Sequence, residues 1–467
     1  MSLDGLTLHG FADCPYERWL ARHLRRVLQL ETKGAVALSW GVPPPKTAHA
    51  VVRVPREARF ADRPEGLRAQ PMANPADGLT VRPGGPPTVE LGVDLIAWIG
   101  WLVSRAEEYD EPRRDTHGRF PPSAALLEQS GMGTLPVADV LAARLRAALC
   151  AAAKAADLEV RRQSPWPQGK RFAVCLTHDV DRATGRSFWQ AVLRGALAGA
   201  TAVLGRTSLS RGLLDQAAGF LRGGGHSPFW LFDRILEMEA AAGVRSSFNV
   251  LPLDRSVVRE GRWLRHRYRC NRPRLASLCH RLVRDGWEVG VHYPYATVDD
   301  PEAMVSACRR LEGALGPEVT LRGGRAHYLQ FRVPETWHHI VRCGLRYDAT
   351  VGWADRPGFR SGTCWPHQPF DRRRNDPIDL WELGVHLLDT HVPRGRALAT
   401  MVEGLLSSVA RVGGCACLLF HPSPPVGMTV RAFLDEYREV LSVVTSQREA
   451  WVATPAEVVR QISAEAS

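Results

Sequence analysis

The chain has 467 residues, of which 45% are hydrophobic and 23% charged, a composition that excludes wholesale disorder and leaves room for two cores. Its formal charge of +11 invites a nucleic-acid reading, but lysine occurs only at Lys33, Lys46, Lys154 and Lys170. The remaining positive charge is arginine scattered without a basic block, so an Arg-biased solvated surface is expected, with an acidic or phosphorylated small partner as the alternative and no nucleic acid.

The first twenty residues lack the basic-then-apolar pattern of a signal peptide. Residues 1–165 carry proline-rich interruptions (43–45, 83–87, 121–122) between short strand candidates such as Ala35–Trp40 and Ala50–Val54. Leu95, Ile96, Trp98, Ile99, Leu102 and Val103 recur at helical spacing and predict a helix with one buried face. The enclosing apolar run, Val93–Val103, is too short to cross a bilayer. An alanine-rich helix over Val137–Leu158 leads into the polar, proline-bearing 161–170, which marks a boundary. The ten cysteines form no CxxC pair and read as buried free thiols in a reducing compartment, so a cytoplasmic protein without a membrane span is expected.

Beyond residue 170 short β-branched or aromatic runs alternate with helical windows, the pattern of repeated βα units around a largely parallel sheet. Strands are predicted at Phe172–Thr177, Arg245–Val250, Trp287–His292, Val319–Arg322, Leu345–Asp348, Leu380–Leu387, Cys415–Phe420 and Trp451–Thr454. Helices are predicted at 228–242, 273–285, 301–315, 333–343, 397–412 and 429–444, and the Gly/Ser-rich 205–225 reads as a long insertion. In the sixth strand Leu380, Glu382, Gly384 and His386 share one face, which lines the interior near the site, and Asp389 and His391 follow just beyond. The loop 352–376, with Asp355, Arg360, Trp365 and His367, is long enough to cover a site; its aromatics suit either stacking on a sugar face or packing the loop down.

Chemistry in α/β barrels collects at the C-terminal strand ends. The first strand ends in Thr177-His178-Asp179-Val180-Asp181, the third in Gly290-Val291-His292-Tyr293-Pro294-Tyr295, the fourth runs into Arg325-Ala326-His327-Tyr328, and the seventh ends in Leu419-Phe420-His421-Pro422. Carboxylate, imidazole and guanidinium groups would be costly to bury there without partners. Taken singly, the Asp pair is also compatible with a turn or helix cap, and each histidine with a backbone-bonded strand end.

With these motifs, and with Arg245-Ser246-Ser247-Phe248, Gly344-Leu345-Arg346-Tyr347-Asp348 and Trp451-Val452-Ala453-Thr454 in the expected order, residues from about 170 to 460 resemble the polysaccharide deacetylase family (NodB homology, carbohydrate esterase family four). The resemblance implies an α/β fold: a distorted seven-stranded (β/α) barrel over 166–467, with insertions at about 185–225 and 352–376, preceded by a smaller α+β domain over 1–165. Ser104-Arg105-Ala106-Glu107-Glu108-Tyr109 and Asp115-Thr116-His117-Gly118-Arg119-Phe120 look like segments that precede the barrel in one subgroup.

The resemblance also implies roles. Asp179 is then the general base, Asp181 and His292 metal ligands, Arg325 the partner that keeps Asp179 ionised, and His421 the acid that protonates the leaving nitrogen. Asp179 and Asp181, two apart on an extended segment, face the same way. The family's second metal-binding histidine falls at Ala296, so the third ligand comes from elsewhere; His327 is the substitute, or alternatively a substrate-binding residue. A mixed Asp/His set suits Zn²⁺, with Co²⁺, Ni²⁺, Mn²⁺ and Fe²⁺ as alternatives, and the backbone N–H of Tyr328 is a candidate to share the oxyanion. The expected activity is metal-dependent removal of an N-acyl group, N-acetyl above all, from an amino sugar. An intracellular nucleotide-linked or lipid-linked glycan precursor would suit the arginine surplus. The rival, motivated by Ala296, is a catalytically silent barrel that binds a glycan or a partner protein; a non-sugar amide is a third option.

Overall fold

The computed structural model describes residues 5–11, 14–56, 63–64, 79–80, 85–183, 186–253 and 268–464; the proline run at 83–87 and the insertion at 185–225 lie partly outside them. Phe172–Val180 is buried along its whole length, as a strand covered on both faces must be. It pairs in parallel with Ser247–Val250 on one side and Cys415–Phe420 on the other, while Ala450–Val452 pairs with its beginning. Glu288–Tyr293, Gly323–Ala326, Tyr347–Asp348 and Trp381–Glu382 then follow in chain order, each parallel to the last.

Leu387–Leu388 pairs instead on the far side of Cys415–Phe420. The segment 381–388 thus serves both ends of the curled sheet. Between its two pairings the Val385 N–H donates to the Val351 carbonyl and the His386 N–H to the Cys417 carbonyl, both at 3.0 Å. The α/β architecture expected from the alternation is present. Helices 232–241, 273–284, 301–315, 335–342, 396–412 and 430–446 match the predicted windows to within a few residues, and proline opens two of them, at Pro273 and Pro301.

One strand is displaced. The β-branched and aliphatic Val319–Arg322 precedes the sheet, and the strand is Gly323–Ala326. Propensity misleads here because the sheet needs absent side chains: a Cβ on Gly324 would lie 1.9 Å from the Val291 carbonyl oxygen, and one on Gly323 2.5 Å from the Tyr347 ring.

The N-terminal region builds its own sheet, with Leu6–His9, Val36–Trp40, Ala50–Val54 and Thr88–Glu90 in parallel order and Leu79–Thr80 antiparallel at the edge. Helix Leu95–Val103 is buried on every side rather than on one face. The apolar core runs across residue 165: Leu20, Trp98 and Leu145 belong to the same cluster as Ala173, Cys175, Trp365 and Cys415. All ten cysteines are free, seven of them buried.

The segment 352–376 is held down by the N-terminal region. Glu108, fully enclosed, accepts from Arg105 Nε (2.8 Å) and from Arg360 Nε and Nη2 (2.9 and 2.7 Å). The Tyr109 hydroxyl donates to the Phe370 carbonyl (3.0 Å), and Asp139 accepts from Thr363 Oγ1 (2.6 Å) and the Cys364 N–H (2.7 Å). Trp353 and Trp365 are buried, and the latter stacks on Trp166. Of the two roles open to these aromatics, packing the loop down is the one adopted.

Burial by itself disfavours the Glu108 anion, but Arg360 and Arg105 outweigh it and bring the carboxyl from 4.5 down to about 2. Because the folded-state value is depressed, this contribution to stability is full above pH 4.5 and is lost as the pH falls toward 2. Glu108→Gln, which leaves two guanidinium groups short of their carboxylate, should cost about 3–5 kcal/mol. Thermal melts across that acid range should show a flatter pH dependence for the variant than for the wild type.

Candidate active site

Three strands deliver the inner residues. Thr177 and Asp179 stand on the face of Phe172–Val180 that carries Ala173 and Cys175. Arg325, on Gly323–Ala326, is wholly enclosed. Its Nη1 donates to Asp179 Oδ1 (3.0 Å) and to Thr177 Oγ1 (2.9 Å), and its Nε to the Ala349 carbonyl (2.7 Å). Asn249 Nδ2 also donates to Asp179 Oδ1, at 2.9 Å. Both bonds fall on one carboxylate oxygen, and Oδ2 is left facing His292 Nε2 at 3.8 Å. Although burial opposes it, the charges of His292 and Arg325 keep the Asp179 carboxyl below its usual range.

The outer residues converge on Asp181, whose Oδ1 lies 3.3 Å from His292 Nε2 and 3.5 Å from His327 Nε2. One candidate ligand atom from each of these three side chains falls within 4.8 Å of the other two. His292 Nδ1 is 2.9 Å from the Arg325 carbonyl, which can only accept, so Nδ1 carries a proton and Nε2 is the atom turned inward toward Asp181. Buried His292 Nε2 and Asp181 Oδ1 have no hydrogen-bond partner. With His327 these two atoms make a possible three-residue metal site, one carboxylate and two imidazoles.

His421, at the end of Cys415–Phe420, is oriented by a residue that pattern reading noted only as lying near the sixth strand. Asp389 Oδ1 is 2.7 Å from His421 Nδ1, and Asp389 Oδ2 accepts the His421 N–H at 2.9 Å. The opposite nitrogen, Nε2, lies 3.7 Å from Asp181 Oδ2. Burial works to lower the imidazolium pKa, but Asp389 outweighs it, helped by Asp181 and Asp179, and raises it to about 10.

The chain therefore brings together all six residues singled out from its sequence: Asp179, Asp181, His292, Arg325, His327 and His421. It adds Asn249, Thr177 and Asp389. Only Asp389 carried a signal, its place just past a strand end; Asn249 and Thr177 are strand interiors whose facing depends on the register. His386 lies apart, its Nδ1 accepting from the Cys417 N–H at 3.0 Å. Glu382 likewise serves structure, accepting from Trp337 Nε1 (2.9 Å) and the Gly384 N–H (2.8 Å). His178, beside the Asp pair in sequence, points to the opposite face and bridges the Phe420 carbonyl and Glu239.

The N-terminal region reaches the rim. The His117 ring stacks on exposed Tyr328, with centroids 5.0 Å apart, and Tyr328 in turn meets the edge of His327. Asp115 fastens that loop by accepting from the His117 and Arg119 N–H groups (2.8 and 2.9 Å). Arg119 Nη1 donates to the Tyr328 carbonyl at 2.8 Å, which helps hold Tyr328 in a left-handed conformation (φ 61°) that few aromatic residues adopt.

The sequence matches one family model over residues 63–154, described as a family of unknown function (DUF7033). No curated protein matches. Solved structures with a similar fold include a chain assigned as a polysaccharide deacetylase from Mycobacterium smegmatis, with 19% identity over 65% of this chain and 94% of that one and a TM-score of 0.41. Another so assigned, from Pseudomonas aeruginosa PAO1, has 15% identity over 65% and 95% and a TM-score of 0.41. Puue allantoinase has 15% identity over 65% and 94% and a TM-score of 0.39.

The Asp389–His421 contact makes a direct prediction. In metal-free protein the His421 imidazole should keep both protons past neutral pH, and Asp389→Asn should return its titration toward the ordinary histidine range. Histidine-selective NMR titration of the two proteins would measure the difference.

Proposed function

We propose that this cleft hydrolyses an N-acyl amide, with the N-acetyl group of an amino sugar as the substrate class, and that Asp181, His292 and His327 hold a divalent cation. The observation that carries the proposal is the meeting of Asp181 Oδ1 with the inward-facing His292 Nε2 beside an ionised Asp179 and a protonated His421. One carboxylate and two imidazoles suit zinc or a neighbouring transition metal. When bound, such a cation supplies Lewis-acid polarisation of the acyl oxygen and acidifies water.

The chain's own groups supply the proton transfers. Asp179, held ionised by Arg325 and with Oδ2 turned to the cleft, accepts a proton from the attacking water as its oxygen adds to the acyl carbon. His421, whose Nδ1 is committed to Asp389, presents Nε2 and its proton to the leaving nitrogen as the carbon–nitrogen bond breaks. The products are a carboxylic acid and an amine, and one proton in and one out restore the pair. Base and acid stand in the required protonation states together because each has its own countercharge: Arg325 for Asp179, Asp389 for His421. The aromatic rim of His117, Tyr295 and Tyr328 offers faces for a sugar ring.

His327 stands in for the histidine missing at exposed Ala296. His327→Ala and His292→Ala should then weaken zinc binding alike, each by at least about 10 to 100-fold, measured by competition against a chromophoric chelator. Full metal occupancy in His327→Ala would return this histidine to a substrate-binding role, and a wild type that takes up no metal would favour the silent binder that Ala296 motivates.

Activity divides the roles further. With an N-acetylglucosamine oligomer as probe and acetate release as readout, Asp179→Asn should lose about 10²–10⁴-fold in kcat while retaining metal. Equal metal loss in Asp179→Asn and Asp181→Asn would contradict the assignment.

A further inference from the structure

The insertion after Asp181 forms two helices, Phe188–Val203 and Thr207–Arg222, packed on one another. Ser187 caps the first, its side chain accepting from the Gln190 N–H. The second helix buries Leu213 and Phe220, but the apolar side chains of the first are distributed opposite to those of a solvated helix. At 100° per residue, Ala191, Arg194 and Ala198 form the buried face of the first helix, while Trp189, Val192, Leu193, Ala196, Ala200 and Val203 share the exposed one. Phe188 is 64% exposed, Trp189 78%, Val203 89% and Leu204 70%. Nine of the fourteen exposed large hydrophobics among the described residues lie between 188 and 221. A continuous apolar face of this size marks an interaction surface.

Charge selects the partner. Between residues 186 and 222 there are five arginines and a single acid, Asp215, whose carboxylate accepts the Val430 N–H at 2.8 Å. Arg186, Arg206, Arg211 and Arg222 are exposed. An uncharged face bearing Trp and Phe and bordered by arginine is complementary to an anionic lipid surface, with rings among the upper acyl chains and guanidinium groups at the phosphates. A two-fold pairing of copies through the same patch would instead gather like-charged arginines. The 16-residue helix is too short to span, and no helix among the described residues is long and apolar enough to cross a membrane.

The hairpin is seated firmly on the segment that follows His421. Gln216 Nε2 donates to the Pro425 and Met428 carbonyls (2.7 and 2.9 Å). Gly212 touches Gly427 so closely that a Cβ there would lie 1.7 Å from the Gly427 oxygen. Exposed Val426 extends the apolar surface onto that segment. We propose that this hairpin binds the protein to the surface of anionic membranes, beside the strand ends that carry Asp181 and His421, without crossing them.

Flotation of the full chain with vesicles of phosphatidylcholine, with and without about 30% phosphatidylglycerol, tests this. Wild type should float with the anionic vesicles, less with the neutral ones, and less as salt is raised from about 50 to about 500 mM. Trp189→Glu with Leu193→Glu should reduce binding about tenfold or more while leaving the melting temperature unchanged. Arg211→Glu with Arg222→Glu, which leaves the apolar face intact, should also reduce it. No flotation of wild type, or flotation of both double variants equal to that of wild type, overturns the proposal. So does a wild-type dimer that ignores vesicles and becomes monomeric in Trp189→Glu/Leu193→Glu. Flotation requires no turnover, so its result stands apart from the fate of the hydrolase reading.

Discussion

A guanidinium with no solvent contact lies at the centre of the curled sheet, and the site depends on it. Arg325 bonds to Thr177 and Asp179 on one strand and to the Ala349 carbonyl just past another. Its own carbonyl orients His292 on a third. Burying such a charge is tolerable only with a carboxylate in contact and the remaining donors satisfied. That requirement fixes the relative positions of the strands, and the same contacts keep Asp179 ionised and His292 turned inward. Fold and chemistry are here consequences of one desolvated ion pair.

A second arrangement of the same kind lies away from the cleft. Glu108 between Arg105 and Arg360 joins the N-terminal region to the 352–376 segment, while the loop at 115–120 brings His117 and Arg119 to Tyr328. The leading region is therefore part of the cleft's construction. It holds down the 352–376 segment, and it supports Tyr328, whose backbone is left-handed.

The helical hairpin departs from the rest of the molecule. Elsewhere most large hydrophobic residues are buried; on the first helix of the hairpin Ala191, Arg194 and Ala198 pack inward while Trp189 and Leu193 face out. The Gly/Ser-rich 205–225 reads as a long insertion, and most of this stretch is helix. Helical pairing tolerates Gly212 and Gly219 because both stand where another backbone passes closely.

What the sequence determined by itself was the alternation of strands and helices and the residues at the strand ends. Both are local: apolar periodicity sets element type, and a motif such as Asp179-Val180-Asp181 states its own facing through the two-residue repeat. Tertiary structure alone decided the rest. Asp389 meets His421 across 32 residues and Asn249 meets Asp179 across 70, and no spacing rule relates such pairs, because sheet register and closure set their distance. The strand at Gly323–Ala326 was hidden for a related reason. Its glycines are required by the neighbours they allow to approach, Val291 and Tyr347, and a close approach between strands leaves no periodic mark in the chain.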